Sequence, residues 1–289
     1  MLKKIKENIK FILWLVIIFF GAYVIPRAII ILATPFVYKP QTFNVTNNAL
    51  IETSVFDLYQ QVVIRTNVSD TLNQTAYVWM NLTSSNGTLI YNNALMTNTS
   101  ISCGVNCSIW NKNYTLAGRD PAGTWIINVT ANDTTGNKAS NSTTFSVNAY
   151  VSIGLTTSLA GGITFGNLDP NTINASSLTC NNKQCNISVS SDTNVNVDIM
   201  AKINAYLTRQ GGTETIQTHY WNSSTTQQPA NPAYQFSTSY DYTHKVGSNL
   251  PYSSNVIFNS WLTIATGQVP GVYNNTIYYC ADEYGKTNC

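Results

Sequence analysis

The six cysteines are the residues whose chemistry the sequence marks most clearly. They fall as three pairs of near neighbours: Cys103 and Cys107, Cys180 and Cys185, and Cys280 and Cys289. Six cysteines allow fifteen pairings, and an even set in an exported chain indicates disulfides. The spacing favours the three local pairs, each of which would stabilise the fold by about 2–3 kcal/mol by closing a short loop.

Metal binding is the alternative use of these and other side chains. The Cys-x₃-Cys and Cys-x₄-Cys spacings are those of halves of a zinc site, but they fall in different predicted domains and have no histidine near them. Asp120 and Asp133 flank one predicted hairpin, which leaves a Ca²⁺ site open, although turn aspartates usually cap their own backbone. We therefore predict no metal or cofactor ligand, with Ca²⁺ at this aspartate pair as the alternative.

Catalytic signatures are missing from the sequence. It has two histidines, His219 and His244, and we interpret both as surface or strand residues. It contains no Gly-x-Ser-x-Gly elbow, zincin motif or phosphate loop, and Asp169 and Asp192 lie in predicted turns. We predict that the protein is not an enzyme.

Asparagine glycosylation is the other chemistry that the sequence suggests. Fifteen Asn-x-Ser/Thr sequons are present, eleven of them before residue 149. Asn106 lies inside the Cys103–Cys107 loop, where a glycan would be hindered. The remaining candidate acceptors are Asn44, Asn67, Asn73, Asn81, Asn86, Asn98, Asn113, Asn128, Asn132, Asn141, Asn174, Asn186, Asn222 and Asn274.

The apolar stretch Phe11–Phe36 determines which side of a membrane these residues occupy. It has 26 residues, enough at 1.5 Å per residue to cross a hydrocarbon core of about 30 Å. Pro26 and Arg27 interrupt it after 15 uncharged residues, so a cleaved signal peptide is the alternative to the uncleaved anchor that we favour. Four lysines precede it, so the positive-inside rule places residues 1–10 in the cytosol and the rest outside the cell.

Composition agrees with export. Charged residues make up 10% of the chain, against about 25% in typical soluble domains. Residues 40–289 hold nine Lys/Arg and 12 Asp/Glu, a net charge of −3. This balance offers no electrostatic basis for binding nucleic acid, and we predict no nucleic-acid partner.

Residues 40–148 are predicted to form an all-β domain. Short alternating runs separated by turn residues indicate about seven strands, the number typical of a β-sandwich. In the run 123–130, Trp125, Ile127 and Val129 share one face and Asn128 lies on the other, so the three apolar residues are predicted to be core. Trp79 shares its face with Asn81, so either Trp79 points outward or a bulge changes the phase.

Residues 149–289 are predicted to form a second β-sandwich. Candidate strands include Gly162–Phe165, Val195–Ile199, Ile203–Leu207 and Val256–Ile264. The polar stretch 222–254 is predicted to be a long loop region, where binding surfaces often lie. Its aromatic residues indicate either a sugar- or protein-binding surface or ordinary cross-strand packing; they are Tyr234, Phe236, Tyr240, Tyr242 and Tyr252.

Two parts of the sequence resemble known surface domains. The run Asp120–Asn137 followed by Thr144–Val147 resembles the last hairpin of bacterial and archaeal immunoglobulin-like surface domains, although no cysteine pair spans the predicted sheets. Ile163–Pro170 and Pro270–Tyr279 are similar to an early Phe-Gly strand and a late Pro-Gly-x-Tyr strand of fimbrial, spore-coat-like and archaeal surface domains. These resemblances imply fold and are silent on function.

The sequence therefore predicts a single-pass protein of the cell membrane: a cytosolic tail (1–10), a transmembrane signal-anchor helix (11–36) and two tandem immunoglobulin-like β-sandwich domains outside the cell (40–148 and 149–289). Its predicted function is structural or adhesive, as a glycoprotein of the envelope whose partners are other envelope proteins or surface glycans. The alternatives are a filament subunit that assembles through β-strands, or an accessory subunit that binds a carbohydrate or protein ligand.

Overall fold

The computed structural model describes residues 34–46, 49–70 and 74–289. The predicted cytosolic tail and most of the predicted membrane segment lie outside the described residues. Within the described ranges, no helix has the length and apolarity needed to span a membrane. Phe36, the predicted last residue of the membrane helix, lies instead in a short strand and pairs with Ser69. The helix prediction was wrong at this end because Pro35 biases the residue before it towards extended backbone.

The described chain is all-β and divides into two compact units. The first unit comprises the described residues up to Leu116 together with Gly123–Val147, and the second comprises Ala117–Ala122 and Asn148–Cys289. The strands of the first unit are β1 Phe36–Val37, β2 Gln41–Thr46, β3 Ala49–Glu52, β4 Val55–Phe56, β5 Gln61–Ser69, β6 Thr75–Thr83, β7 Leu89–Leu95, β8 Thr97–Gly104, β9 Cys107–Thr115, β10 Gly123–Asp133 and β11 Lys138–Val147.

The first unit consists of two sheets that enclose one core. One sheet has the order β3-β2-β5-β9-β8, with β1 also pairing with β5, and the other has the order β4-β11-β10-β6-β7. Val62 and Ile64 from the first sheet meet Trp125, Ile127 and Val129 from the second in a single buried cluster. The predicted core face of β10 is confirmed, since all three of its apolar side chains are fully buried.

The burial pattern of β6 shows which way the Trp79 side chain points. Val78, Met80 and Leu82 are fully buried, so Trp79 points away from the core and lies beneath Lys138, whose Nζ is 5.7 Å from a ring centroid. Of the two interpretations of this strand, the outward tryptophan is therefore correct.

The second unit has one six-stranded sheet, two three-stranded sheets and a four-residue helix, α1 Thr157–Ala160. Their orders are β12-β14-β21-β18-β19 with β13 also pairing with β21, then β20-β15-β23, and β17-β16-β22. The strands are β12 Ile153–Leu155, β13 Ala175–Ser176, β14 Asn186–Val189, β15 Val197–Ile203, β16 Leu207–Arg209, β17 Thr215–Ile216, β18 His219–Ser224, β19 Tyr234–Gln235, β20 Gly247–Leu250, β21 Asn255–Leu262, β22 Tyr273–Asn274 and β23 Ile277–Glu283.

Two strand predictions in the second unit were wrong. The predicted strand Ile203–Leu207 is the break between β15 and β16, where Asn204 turns the chain by exchanging hydrogen bonds with Thr276. Gly162–Phe165 is not a strand. The backbone N–H of Thr164 donates its hydrogen bond to the side-chain oxygen of Thr179 rather than to the backbone of a neighbouring strand. Local apolar content alone does not reveal these side-chain partners.

The six cysteines, all within the described ranges, form three disulfides. They are the three local pairs that the spacing favours. Cys180 and Cys185 lie in the core of the second unit, whereas Cys103 is exposed at a hairpin of the first unit. Disulfides of this number indicate an oxidising compartment, which is the condition outside the cell.

Candidate binding cleft in the second unit

A cavity of about 770 Å³ opens in the second unit between two chain segments. One rim is 162–170, and the other is 268–276. Four buried aliphatic residues contribute to its wall: Leu207, Ile216, Leu262 and Ile264. We call this cavity the cleft. Its volume lies in the range of known ligand pockets, about 300–1,000 Å³.

A glycine shapes each rim. Gly166 has a φ of +71°, a conformation that residues with a Cβ rarely adopt. Gly271 lies against Arg209, and a Cβ at this position would come within 2.6 Å of Arg209 Nε. Arg209 in turn is 3.5 Å from Glu214, so the second rim is packed onto an ion pair. These contacts explain why the Phe-Gly and Pro-Gly-x-Tyr segments carry glycine.

Tyr273 fastens the second rim. Its hydroxyl donates a hydrogen bond to the carbonyl oxygen of Val269 at 2.7 Å and accepts one from Gln268 Nε2, also at 2.7 Å. Its ring packs with Phe165 and Leu168 against the aliphatic wall. The cleft is therefore bounded by packed and hydrogen-bonded segments rather than by open loops.

His219 of β18 lines the cleft and is 2% exposed. Its Nε2 is 2.7 Å from Ser260 Oγ, and its ring is in edge contact with Phe165. Burial lowers its pKa from 6.5 to about 4, so the imidazole is neutral at physiological pH. Its Nδ1 is buried and has no hydrogen-bond partner within the described part of the chain.

Tyr279 of β23 also lines the cleft. Its ring packs edge-on against Phe258 at 5.6 Å, and its hydroxyl oxygen is buried without a hydrogen-bond partner among the described residues. Burial raises the pKa of this phenol, so the group stays protonated. Buried polar atoms without partners are costly, and two of them belong to residues that line this cavity.

One wall of the cleft belongs to an edge strand. Ile277 and Tyr279 of β23 line the cleft, and in the described structure β23 pairs with β15 alone. No strand of the described structure pairs with its other edge. An open edge beside an apolar cavity is the arrangement used in β-strand addition.

The His219–Ser260 pair is not arranged for nucleophilic catalysis. Ser260 is fully buried and its hydroxyl lies 3.0 Å from the carbonyl oxygen of Tyr220, to which it donates its proton. An activated serine would instead donate to the histidine. The single charged residue that lines the cleft within the described ranges is Asp169.

No family model matches the chain, and no curated protein matches it.

Two solved structures show how distant the resemblances are. A DUF4785 family protein from Legionella pneumophila is 7% identical, with a TM-score of 0.25, over 80% of this chain and 45% of that one. Salmonella alpha-2-macroglobulin reacted with methylamine is 13% identical, with a TM-score of 0.26, over 86% of this chain and 15% of that one. The chain thus spans less than half of either protein, and similarity at this level assigns no function.

The predicted glycan acceptors are spread over the surface rather than gathered at the cleft. Exposed side chains belong to Asn86, Asn98, Asn113, Asn128, Asn174 and Asn274. Half-buried ones belong to Asn44, Asn67, Asn81, Asn132, Asn141, Asn186 and Asn222. Asn73 lies outside the described residues. Of all these, Asn274 alone among the described residues lines the cleft.

The other sequence-predicted groups have local structural partners. Both oxygens of Asp133 accept hydrogen bonds from Thr135 and Asn137 of its own turn, and Asp120 Oδ2 accepts one from the Ala117 N–H. In the described part of the chain, no group of three or more His, Cys, Asp or Glu side chains is placed to hold a metal ion. Ca²⁺ at the aspartate pair therefore gains no support from a ligand cluster.

The aromatic residues of 222–254 do not form one surface. Phe236 is buried in the core, Tyr234 packs on Trp221 and His244, and Tyr240 packs under Lys202. His244 pairs with Asp241 at 2.7 Å on the surface. The long loop region also contains β19 and β20 and so is more ordered than its composition suggests.

The sequence contains signals for the cleft, but they lie far apart along the chain. Both rims are the segments singled out by resemblance, but nothing in them indicates that they face each other. His219 alternates with buried Trp221 along β18, a pattern that predicts an inward histidine. The unpaired hydroxyl of Tyr279 has no sequence signal, because it depends on which groups surround it.

Proposed function

We propose that this protein is a cell-surface structural or adhesion protein of the envelope that holds an extended segment of another exported polypeptide in the cleft of its second unit. The N-terminal apolar segment, ending before Phe36, anchors it in the membrane, and the two units are immunoglobulin-like β-sandwiches. The observation that supports this function is the apolar cleft beside the open edge of β23. Three disulfides support the extracellular location.

An extended polypeptide fits this site better than a charged ligand does. β23 has seven residues, which at about 3.3 Å per residue offers roughly 23 Å of edge backbone. An added strand would hydrogen-bond to this edge and direct every second side chain towards the aliphatic wall. No lysine or arginine of the described chain lines the cleft, so an anionic ligand would find no countercharge.

Under this proposal, the first unit contributes a surface covered by glycans. Its sheets bury a continuous core, and its outer faces hold most of the candidate glycan acceptors. Asn128 lies directly opposite Asn81 of β6 and Ser142 of β11 on one such face. A glycan-bearing sandwich of this kind serves as a spacer that is soluble despite its low charge.

Site-specific photo-crosslinking on intact cells tests the proposal. A benzophenone amino acid replaces Val272, which lines the cleft and is 64% exposed, in the full-length chain. The matched control carries it at Ile126, which is 50% exposed on the first unit. We expect a product specific to position 272 in which mass spectrometry maps the attachment to one exported segment with apolar residues at alternate positions.

Two other products of that experiment have distinct meanings. A second copy of this chain as the crosslinked partner supports the alternative of a filament subunit. A small-molecule adduct, or identical products at both positions, contradicts strand addition. The volume of the cleft makes a small apolar ligand the relevant competitor.

A further inference from the structure

Phe36 lies at one end of the first unit, in a row of paired residues that crosses three strands. It pairs with Ser69, the last residue of β5, and Ser69 pairs with Cys107, the first residue of β9. Neighbouring strands are about 4.8 Å apart, so Phe36 lies roughly 10 Å from Cys107. The β8–β9 hairpin therefore turns at the same end of the sheet as Phe36.

A disulfide closes the turn of this hairpin. It joins Cys103 to Cys107, and we call the loop from Cys103 to Cys107 the hairpin tip. Within the tip, the carbonyl oxygen of Asn106 accepts a hydrogen bond from the N–H of Asp70 at 2.9 Å. Val105 is 93% exposed. A closed and hydrogen-bonded loop that presents an apolar side chain loses little conformational entropy when that side chain enters an apolar medium.

Other exposed apolar side chains lie at this end of the unit. Ile101, two residues before the tip, and Phe36 are each more than half exposed. The ring of Phe36 is in edge contact with that of Tyr38, which is also exposed. The segment 97–111 contains no charged residue. Uncharged apolar surfaces of this kind mark contacts with proteins or with membranes.

The place of Phe36 in the sequence distinguishes between these two partners. The apolar run before it continues to Ala33, and only Thr34 and Pro35 separate Ala33 from Phe36. The chain from Ala33 to Phe36 spans at most about 11 Å when fully extended. If the apolar run is the membrane anchor, the end of the unit that contains Phe36 lies next to the bilayer. So short a connection leaves no room for a protein partner between them.

We propose that the hairpin tip contacts the membrane, with the Val105 side chain among the lipids and the rings of Phe36 and Tyr38 at the level of the headgroups. This inference rests on the proposed function, since it takes the N-terminal apolar segment to be the anchor. Tyrosine is enriched at this depth because its ring is amphipathic. The tip thereby gives the first unit a second contact with the bilayer, which fixes the orientation that a single tether would leave free.

Fluorescence quenching by lipid tests this contact. The full-length protein, with an environment-sensitive fluorescent amino acid in place of Val105, is reconstituted in phosphatidylcholine vesicles. The matched control carries the same label in place of Leu50, an exposed residue of β3 at the opposite end of the same sheet. We expect brominated acyl chains to lower the fluorescence at position 105 about twofold or more, because the label reaches the acyl boundary. Fluorescence at position 50 should not change.

A charge at the tip provides a second measurement. The label is placed at Ile101, and Val105→Asp is introduced into this labelled chain. Because Val105 is exposed, the substitution should leave the fold intact. A carboxylate is costly to transfer from water to lipid, so we expect the quenching at position 101 to fall about threefold or more. Leu50→Asp in the same labelled chain is the control and should leave that quenching unchanged.

Two separate measurements distinguish failure of this inference from failure of the proposed anchor. Release of the protein from the vesicles by alkaline extraction would contradict the anchor and, with it, the contact of the tip. Retention of the protein without quenching at position 105 would overturn the contact and leave the anchor standing. Equal quenching at positions 105 and 50, or equal effects of Val105→Asp and Leu50→Asp, would also overturn it.

Discussion

Asp198 Oδ2 accepts a hydrogen bond from Lys245 Nζ at 2.5 Å, and the carboxylate of this ion pair is fully buried. The same oxygen accepts the Gly285 N–H, while Oδ1 accepts the Ser248 hydroxyl and the Asn249 N–H. One side chain on β15 thereby joins β20 to the turn that follows β23. Burial by itself raises the pKa of Asp198, but these hydrogen bonds outweigh it and the pKa lies below the usual value.

Replacing Asp198 by Asn should destabilise the protein by about 3 kcal/mol at pH 7, the lower end for removing one partner of a buried ion pair. Because the folded-state pKa is depressed, this stabilisation is present above the unfolded pKa of about 3.9 and is lost as pH falls through the lower folded value. Urea denaturation of the full-length protein at a series of pH values measures both effects. Asp192→Asn, in an exposed turn, is the control and should change little. Equal losses in the two variants would contradict this role.

His219 should make the protein less stable on mild acidification. Its pKa falls from 6.5 to about 4 on folding, so between these values the unfolded chain binds a proton that the folded one does not. Stability should therefore decrease by about 1.4 kcal/mol per pH unit across this window, about 3 kcal/mol in all. His219→Gln should remove this slope in denaturation curves between pH 7 and 4. His244→Gln, at an exposed ring, should retain it; loss of the slope there instead would refute the assignment.

The sequence predicted correctly which face of a strand is buried where the strand carries a residue that must face solvent, such as a glycan-accepting asparagine. Asn128 set the phase of β10 correctly, because a strand with one buried face alternates with a strict period of two. It predicted the cleft poorly, since the two rims are separated by about a hundred residues and their meeting depends on the whole topology. The interpretation of His219 as a strand residue is confirmed, since it begins β18, but two isolated histidines in a sequence give no measure of burial.

The three disulfides should differ in their resistance to reduction. Cys180 and Cys185 are fully buried, whereas Cys103 is exposed, and thiolate attack requires access to sulfur. Differential alkylation with mass spectrometry in rising concentrations of reductant should detect Cys103–Cys107 opening first and Cys180–Cys185 last. Replacing Cys180 and Cys185 with alanine should cost about 2 kcal/mol from loop closure alone. Reduction of the buried pair first would contradict the described packing.

Glycan occupancy should follow the freedom of each asparagine side chain. Asn128 is exposed, whereas the Nδ2 of Asn186, the atom that would carry a glycan, donates a hydrogen bond to the carbonyl oxygen of Lys183, and its Oδ1 is buried. We expect high occupancy at Asn128 and low occupancy at Asn186 in glycopeptide mass spectrometry of the native surface protein. Asn128→Gln and Asn186→Gln give a matched pair of variants: the first should increase gel mobility and the second should not. The reverse pattern would contradict the dependence on side-chain freedom.

Trp125 and Trp79 provide a matched test of which face of the first unit is core. Trp125 is fully buried and packs on Tyr114 and Phe145 at 5.8 and 5.7 Å, so Trp125→Ala should cost about 3–5 kcal/mol. Trp79 points outward over Lys138, and Trp79→Ala should cost about 1 kcal/mol or less, from lost cation–π contact. Urea denaturation of the two full-length variants gives both values. A large loss in Trp79→Ala with a small one in Trp125→Ala would reverse the assigned faces of the sheet and, with them, the predicted exposure of Asn128.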